Sequence, residues 1–183
     1  MILFINACVR KESRTLRLAK NLLDTLEGEI KEVKLEKVKF PIVDEEFINH
    51  REDLKNASKY DDPMFDLARD FANADLIVVA APYYDLSFPA MLKQYFEQIN
   101  VLGLTFTYSE SGTPVGLCKA KSLYYVTTAG GPIISDDYGF GYVKALANAF
   151  YGINDVKQIK AEGLDIIGAD VEAILEEANL KFV

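Results

Sequence analysis

Residues 75–96, DLIVVAAPYYDLSFPAMLKQYF, decide how this chain folds. They open with an unbroken apolar run, 76–81, rich in β-branched side chains. Such a run reads as a strand buried on both faces, typical of a parallel sheet covered by helices. Pro82 lacks a backbone donor and ends it. A tyrosine-bearing loop follows, Tyr83-Tyr84-Asp85-Leu86. Ser87 suits a helix N-cap, with Pro89 tolerated in the first turn. Leu92, Tyr95, Phe96 and Ile99 then fall on one apolar helical face. In an open α/β sheet, ligands sit where strands end and helices begin. The two tyrosines at that edge are either part of a binding wall or a cap on the core.

Working outward, the same alternation recurs on both sides. Residues 2–7, ILFINA, predict a strand, and Ser13 or Thr15 starts an amphipathic helix that ends near Gly28. Residues 30–38 alternate charged and apolar positions, which suits an outer strand. Over 40–62 the pattern weakens into a long surface excursion with room for a short helix. Pro63 opens the helix that leads to Ala74. After the helix of the central stretch, which ends near Gly103, Thr105-Phe106-Thr107-Tyr108 and the turn residues 111–114 predict a small hairpin beside the tyrosine loop. Residues 122–128, SLYYVTT, form another buried strand, closed by Ala129-Gly130-Gly131-Pro132. Residues 133–138 are a second irregular loop. A helix over 141–152 presents Val143, Leu146, Ala147 and Phe150. A strand over 155–162 and a helix over 169–180 complete the chain. Five strands alternating with helices make one doubly wound, three-layer α/β domain spanning 1–183.

Composition narrows the function classes. The 183 residues are 50% hydrophobic and 26% charged, ordinary for a folded soluble domain. With 20 basic and 28 acidic side chains the net charge is −8, which argues against general nucleic-acid binding. The charge is unevenly spread: Arg10, Lys11, Arg14, Arg17 and Lys20 face only Glu12 in the first twenty residues. Cys8 and Cys118 are too few for a disulfide scaffold and fit no metal spacing, so reduced cytoplasmic thiols are expected. No secretory leader or membrane span is expected. The lone histidine, His50, sits among charged residues and reads as a surface group.

Three strand ends carry unusual chemistry, and in a parallel sheet they share one edge. At residues 6–15, NACVRKESRT, a helix N-terminus offers unpaired N–H groups and positive potential. Arg10 and Arg14 add planar forks suited to phosphate oxygens, and Ser13 and Thr15 add hydroxyls. Ordinary capping accounts for either hydroxyl taken singly. The segment is neither a Walker loop nor a dinucleotide fingerprint. In the tyrosine loop, a flat ring can rest on Tyr84 or Leu86 with main-chain donors along its edge. At 127–131, TTAGG, paired glycines admit a ligand close to the backbone, or simply make a tight turn. No nucleophile–base pair, carboxylate dyad or metal cluster emerges. A phosphate pocket, aromatic wall and glycine floor without acid–base machinery imply a reaction carried by a cofactor; the phosphorylated planar heterocycle FMN would use all three loops.

Read together, Arg10/Ser13/Thr15, AAPYYDLSFPAMLKQYFEQI, LTFTYSESG and VTTAGG resemble the FMN-dependent azoreductase and NAD(P)H:quinone oxidoreductase family of the flavodoxin-like fold. The resemblance covers nearly the whole chain, most specifically 80–131. It implies a five-stranded parallel sheet of order 2-1-3-4-5 and a homodimer. It also implies hydride transfer from NADH or NADPH to FMN, then two electrons to a small-molecule quinone, azo or nitro acceptor. Ser13, Arg14 and Thr15, with Arg10, match the FMN phosphate segment. Pro82, Tyr83, Tyr84, Asp85 and Leu86 match the segment lining the ring, and Thr128, Ala129, Gly130 and Gly131 the second ring-contacting loop. Phe106 and Tyr108 stand where azoreductases place aromatics on the substrate side, with water or Tyr108 as proton source. Two positions depart from the pattern: azoreductases usually have Asn at Asp85 and commonly Arg at Ala129. Flavin binding thus transfers more safely than azo reduction. The other readings are a flavodoxin-type electron carrier docking on basic partners, and a regulatory module that kept the fold without the cofactor.

Overall fold

The computed structural model describes residues 1–180. The element order is β1 (Ile2–Asn6), α1 (Arg14–Leu23), β2 (Ile30–Lys34), α2 (Glu45–Asn56), α3 (Asp66–Asn73), β3 (Leu76–Ala80) and α4 (Ala90–Ile99). A hairpin of β4 (Phe106–Tyr108) and β5 (Pro114–Gly116) follows, then β6 (Ser122–Thr128). Next is α5 (Tyr142–Leu146), wound as π-helix at both ends by Asp137–Gly141 and Ala147–Tyr151. The chain continues through β7 (Asp155–Ala161) and α6 (Val171–Leu180).

Because consecutive side chains of a strand point to opposite faces, a strand with helices on both sides must be apolar throughout. β1 obeys this rule. Leu3 and Ile5 join the core formed with α3, α4 and α5, while Ile2 and Phe4 join the core formed with α1 and α6. The five-stranded sheet runs β2-β1-β3-β6-β7, all parallel, which is 2-1-3-4-5 once the hairpin strands are set aside. Asn6, Ala80 and Val126 lie level in the register. The loops leaving β1, β3 and β6 therefore emerge side by side, at the point where the strand order reverses.

Several boundaries differ from the sequence expectation. α1 stops at Leu23, well short of Gly28, with the Asp24 N–H bonded back to Lys20 O and Leu22 O. β2 is an exposed edge strand that gives way to a 3-10 turn at Leu35–Lys37 instead of continuing to Val38. Ser87 is not an N-cap: its N–H and C=O both pair with Tyr84, and α4 starts from Pro89 with no side-chain cap. The hairpin packs on the last turn of the α5 region, Phe106 on Phe150 with centroids 4.9 Å apart. The buried face of that helical region is Val143, Ala147 and Tyr151, with Leu146 and Phe150 only half-buried. Widening the last turns to π geometry carries Tyr151 inward onto Phe71, 4.6 Å between centroids.

The 40–62 excursion is ordered by α2, capped by Asp44, whose carboxylate accepts the Phe47 N–H at 2.9 Å. Arg51 on α2 donates to the carbonyls of Glu97 and Asn100 at the end of α4. Among the described residues, no helix is long and apolar enough to cross a membrane, and no group of His, Cys, Asp and Glu could hold a metal ion.

Candidate active site

The loop after β1 is shaped from beneath. Asn6 is almost fully buried; its Oδ1 accepts the Cys8 N–H at 2.9 Å and its Nδ2 donates to Glu32 at 2.8 Å. Cys8 packs under the loop, where burial pushes its thiol up to about 11 against a smaller opposing hydrogen bond from Ser13. It is a neutral packing group, not a nucleophile. Ser13 is the N-cap of α1: its Oγ accepts the Leu16 N–H at 3.2 Å. The first turn of α1 holds no acidic side chain, so its positive end is unneutralised from within the helix. Thr15 lies inside the helix, 1% exposed, with its hydroxyl 2.6 Å from that of Thr128.

The loop after β3 turns sharply. Tyr84 and Ser87 exchange backbone bonds of 2.9 and 2.8 Å, leaving Asp85 and Leu86 as the two central residues at φ 50° and 70°. A two-residue turn with both φ values positive is the I′ geometry, which ordinarily selects Asn and Gly. A branched Leu held there is strained, and such strain concentrates where a ligand is gripped. The Ser87 hydroxyl pins the turn to Tyr138 O at 2.5 Å, and the Tyr83 N–H bonds Thr128 O at 3.0 Å. The tyrosine and glycine loops are thus one hydrogen-bonded unit.

The loop after β6 is held by the segment after β7. Leu164 N–H bonds Ala129 O at 3.2 Å, Asp165 N–H bonds Gly130 O at 2.8 Å and Gly163 N–H bonds Gly131 O at 3.0 Å. A Cβ on Gly130 would come within 2.2 Å of the Asp165 carboxylate, so that position admits only glycine while Asp165 stays where it is. Further along, Ile133 N–H bonds Glu162 at 2.7 Å.

These loops enclose one cleft of about 340 Å³. From the first loop it takes Arg10, Ser13, Arg14 and Thr15; from the second, Pro82, Tyr83 and Tyr84; from the third, Thr128, Ala129 and Gly130. Asp85 and Leu86, at the tip of the tyrosine turn, and Gly131 stand beside it and are not among its walls. Phe106 and Tyr108 are on the hairpin, away from the cleft of their own chain; Phe106 is buried and Tyr108 is 51% exposed. Three wall residues escaped the sequence reading: Glu12, Leu164 and Asp165. The last two follow β7, and their only signal was the position of that loop on the same sheet edge. Asp165 Oδ1 accepts from Arg14 Nη1 at 2.7 Å, joining the segment after β7, and through it the third loop, to the first.

The cleft brings together an arginine-bearing helix N-terminus, the base of the tyrosine turn and a glycine floor. An anion at the helix N-terminus and a flat ring against the tyrosine and glycine loops are what these parts fit, and FMN carries both. Fold and cleft together define a flavodoxin-like protein of the doubly wound α/β class, and residues 1–183 match the family model for the flavodoxin-like fold. An FMN-dependent NADH:quinone oxidoreductase of Coprothermobacter proteolyticus is 36% identical, the match spanning 92% of this chain and 88% of the relative. One of Lachnoclostridium phytofermentans is 34% identical over 98% of this chain and 94% of its own. The chain belongs to the family of FMN-dependent NADH:quinone oxidoreductases within the flavodoxin-like fold. Among solved structures, an azoreductase from Bacillus anthracis str. Sterne shares the fold with a TM-score of 0.84 at 23% identity, covering 99% of this chain and 95% of its own. An FMN-dependent NADH-azoreductase from Bacillus anthracis str. Ames Ancestor, solved in complex with FMN, does so with a TM-score of 0.79 at 24% identity, covering 99% and 94%.

Proposed function

We propose that this protein is an FMN-dependent oxidoreductase that takes a hydride from NADH or NADPH and delivers two electrons to a quinone, azo or nitro compound. Donor and acceptor would occupy the cleft in turn, a ping-pong cycle. The observation that carries the reading is the meeting of a basic helix N-terminus, a strained tyrosine turn and a glycine floor around one cleft. The names of the relatives support quinones as acceptors and NADH as donor. When bound, FMN supplies the ring that receives the hydride and gives the electrons up.

The chain's own residues bind and orient. Arg10, Arg14 and Ser13 hold the phosphate with the first N–H groups of α1. Thr15 acts at one remove, fixing Thr128 through the buried hydroxyl pair. Pro82, Tyr83 and Tyr84 line the ring and Thr128, Ala129 and Gly130 form its floor, while Asp85, Leu86 and Gly131 approach it from beside the cleft walls. Asp85 and Ala129 withhold the amide and guanidinium that azoreductases usually carry, which ranks quinones ahead of azo dyes. Tyr108 reaches an acceptor from a second copy of the chain, in a cytoplasmic homodimer, with the buried Phe106 packed behind it. Exposed Ile42, Val43 and Ile48 on the excursion give such a dimer an apolar surface to cover.

Anaerobic titration of the FMN-loaded protein with NADH and with NADPH, followed by a panel of quinones, azo dyes and nitroaromatics, tests the proposal. Bleaching by a nicotinamide and recovery by a quinone are expected. A flavin that neither nicotinamide reduces would return the chain to the electron-carrier reading, which the relatives do not favour.

A further inference from the structure

We propose that Asp165 is a built-in competitor for the flavin phosphate, occupying Arg14 until the phosphate displaces it and so limiting how tightly FMN is held. The inference rests on the FMN reading above and concerns a residue with no assigned role in it.

Three observations carry it. First, the guanidinium of Arg14 is already engaged: Nη1 donates to Asp165 Oδ1 at 2.7 Å, with the two side chains 40% and 69% exposed. Second, Asp165 is fixed there by its backbone. The segment 163–165 is bonded to the glycine floor, and the carboxylate lies so close against Gly130 that a Cβ there would meet it at 2.2 Å. Its backbone therefore holds the carboxylate within reach of Arg14, while the exposed side chain stays free to turn aside. Third, the cradle carries a second acidic wall residue, Glu12, so its lining holds two carboxylates beside Arg10 and Arg14.

An exposed ion pair contributes little and breaks easily. A phosphate dianion, with more charge and a geometry matched to the guanidinium fork, is the stronger partner for Arg14. Once displaced, the Asp165 carboxylate stays close to the incoming dianion, because its backbone is tied to the floor, and repels it. Both effects oppose phosphate binding, and neither touches the ring. FMN thus binds by exchanging one anion for another, with an affinity below that of a cradle left open.

The test measures dissociation constants of FMN and of riboflavin, which lacks the phosphate, for flavin-free wild type, Asp165→Asn, Arg14→Gln and the double variant. The expected result is FMN bound about three- to tenfold more tightly by Asp165→Asn. Riboflavin affinity should not change, and the gain should shrink in the Arg14→Gln background and at high salt. Unchanged or weaker FMN binding by Asp165→Asn overturns the inference, as does an equal gain for riboflavin. Wild type that binds neither flavin overturns the FMN reading itself, and the inference with it.

Discussion

Gly130 and Gly116 are each hemmed in by a neighbour, and the kind of neighbour decides what a methyl group would cost. At Gly130 the obstacle is the end of a side chain, Asp165, which can swing away. At Gly116 it is main chain: a Cβ would lie 2.1 Å from Gly152 N and Tyr151 C, where nothing yields. Gly130→Ala should therefore cost less than about 1 kcal/mol of stability, the Asp165 carboxylate turning aside for the methyl. Gly116→Ala should cost about 2–4 kcal/mol by urea denaturation. Equal costs would contradict this assignment of neighbours. Leu86 poses the opposite case, a side chain where glycine belongs, at φ 70°. Leu86→Gly should relieve about 1 kcal/mol of backbone strain, less whatever the looser unfolded chain takes back. The melting temperature would rise or hold, while flavin affinity falls because the turn is no longer rigid.

At the scale of elements, the excursion over 40–62 is part of the fold's framework. Its helix α2 clamps the end of α4 through Arg51, whose guanidinium donates to Glu97 O and Asn100 O. The side chain of Asn100 in turn accepts from Tyr151 at 2.7 Å, linking this junction to the π-wound end of the α5 region. Hydrogen bonds from a charged donor are worth about 1.5–3 kcal/mol each before solvent exposure is discounted, and here the bond to Asn100 O is part-buried and that to Glu97 O exposed. Arg51→Ala should lower stability by about 1–2 kcal/mol in total, read from the urea midpoint. Amide exchange should quicken at 97–105 and 147–153 more than in β1 or β3. A change confined to α2 would show the clamp to be incidental. The same level explains why Ser87 misled a sequence reading. A serine ahead of an apolar helical period is a good cap signal, yet here its hydroxyl is drawn to Tyr138 O, a partner fifty-one residues away.

For the molecule as a whole, stability should depend on pH chiefly on the alkaline side. Burial raises the thiols of Cys8 and Cys118 from 9.0 to about 11 and about 12, and raises the hydroxyls of Tyr95, Tyr125 and Tyr151 as well. Each of these groups is neutral when protonated, so the unfolded chain gives up its protons first as pH rises. The stability they contribute is complete below about pH 9 and is lost progressively as pH climbs through the folded values. Urea midpoints should be flat from pH 7 to about 8.5 and fall steeply by pH 10.5. Replacing Cys118 with Ala should soften the fall. A profile just as steep in that variant would place the effect elsewhere.

The alternation of apolar strands and amphipathic helices, the parallel sheet and the meeting of three loops at its edge were all legible in the chain, because burial on two faces forces a strand to be apolar throughout and a helix to carry one stripe. Side chains such as Leu92, Tyr95, Phe96 and Ile99 announced their face by spacing alone, and all four are fully buried. What the order of residues could not disclose was pairing over distance. Asp165 is an ordinary surface aspartate until the β7 end is set beside the β1 loop, more than 150 residues away along the chain. Only then does it meet Arg14. The exposed wall of the cleft and the π-wound rims of α5 were decided likewise by packing, since a hydrogen bond between remote segments leaves no period in the sequence to read.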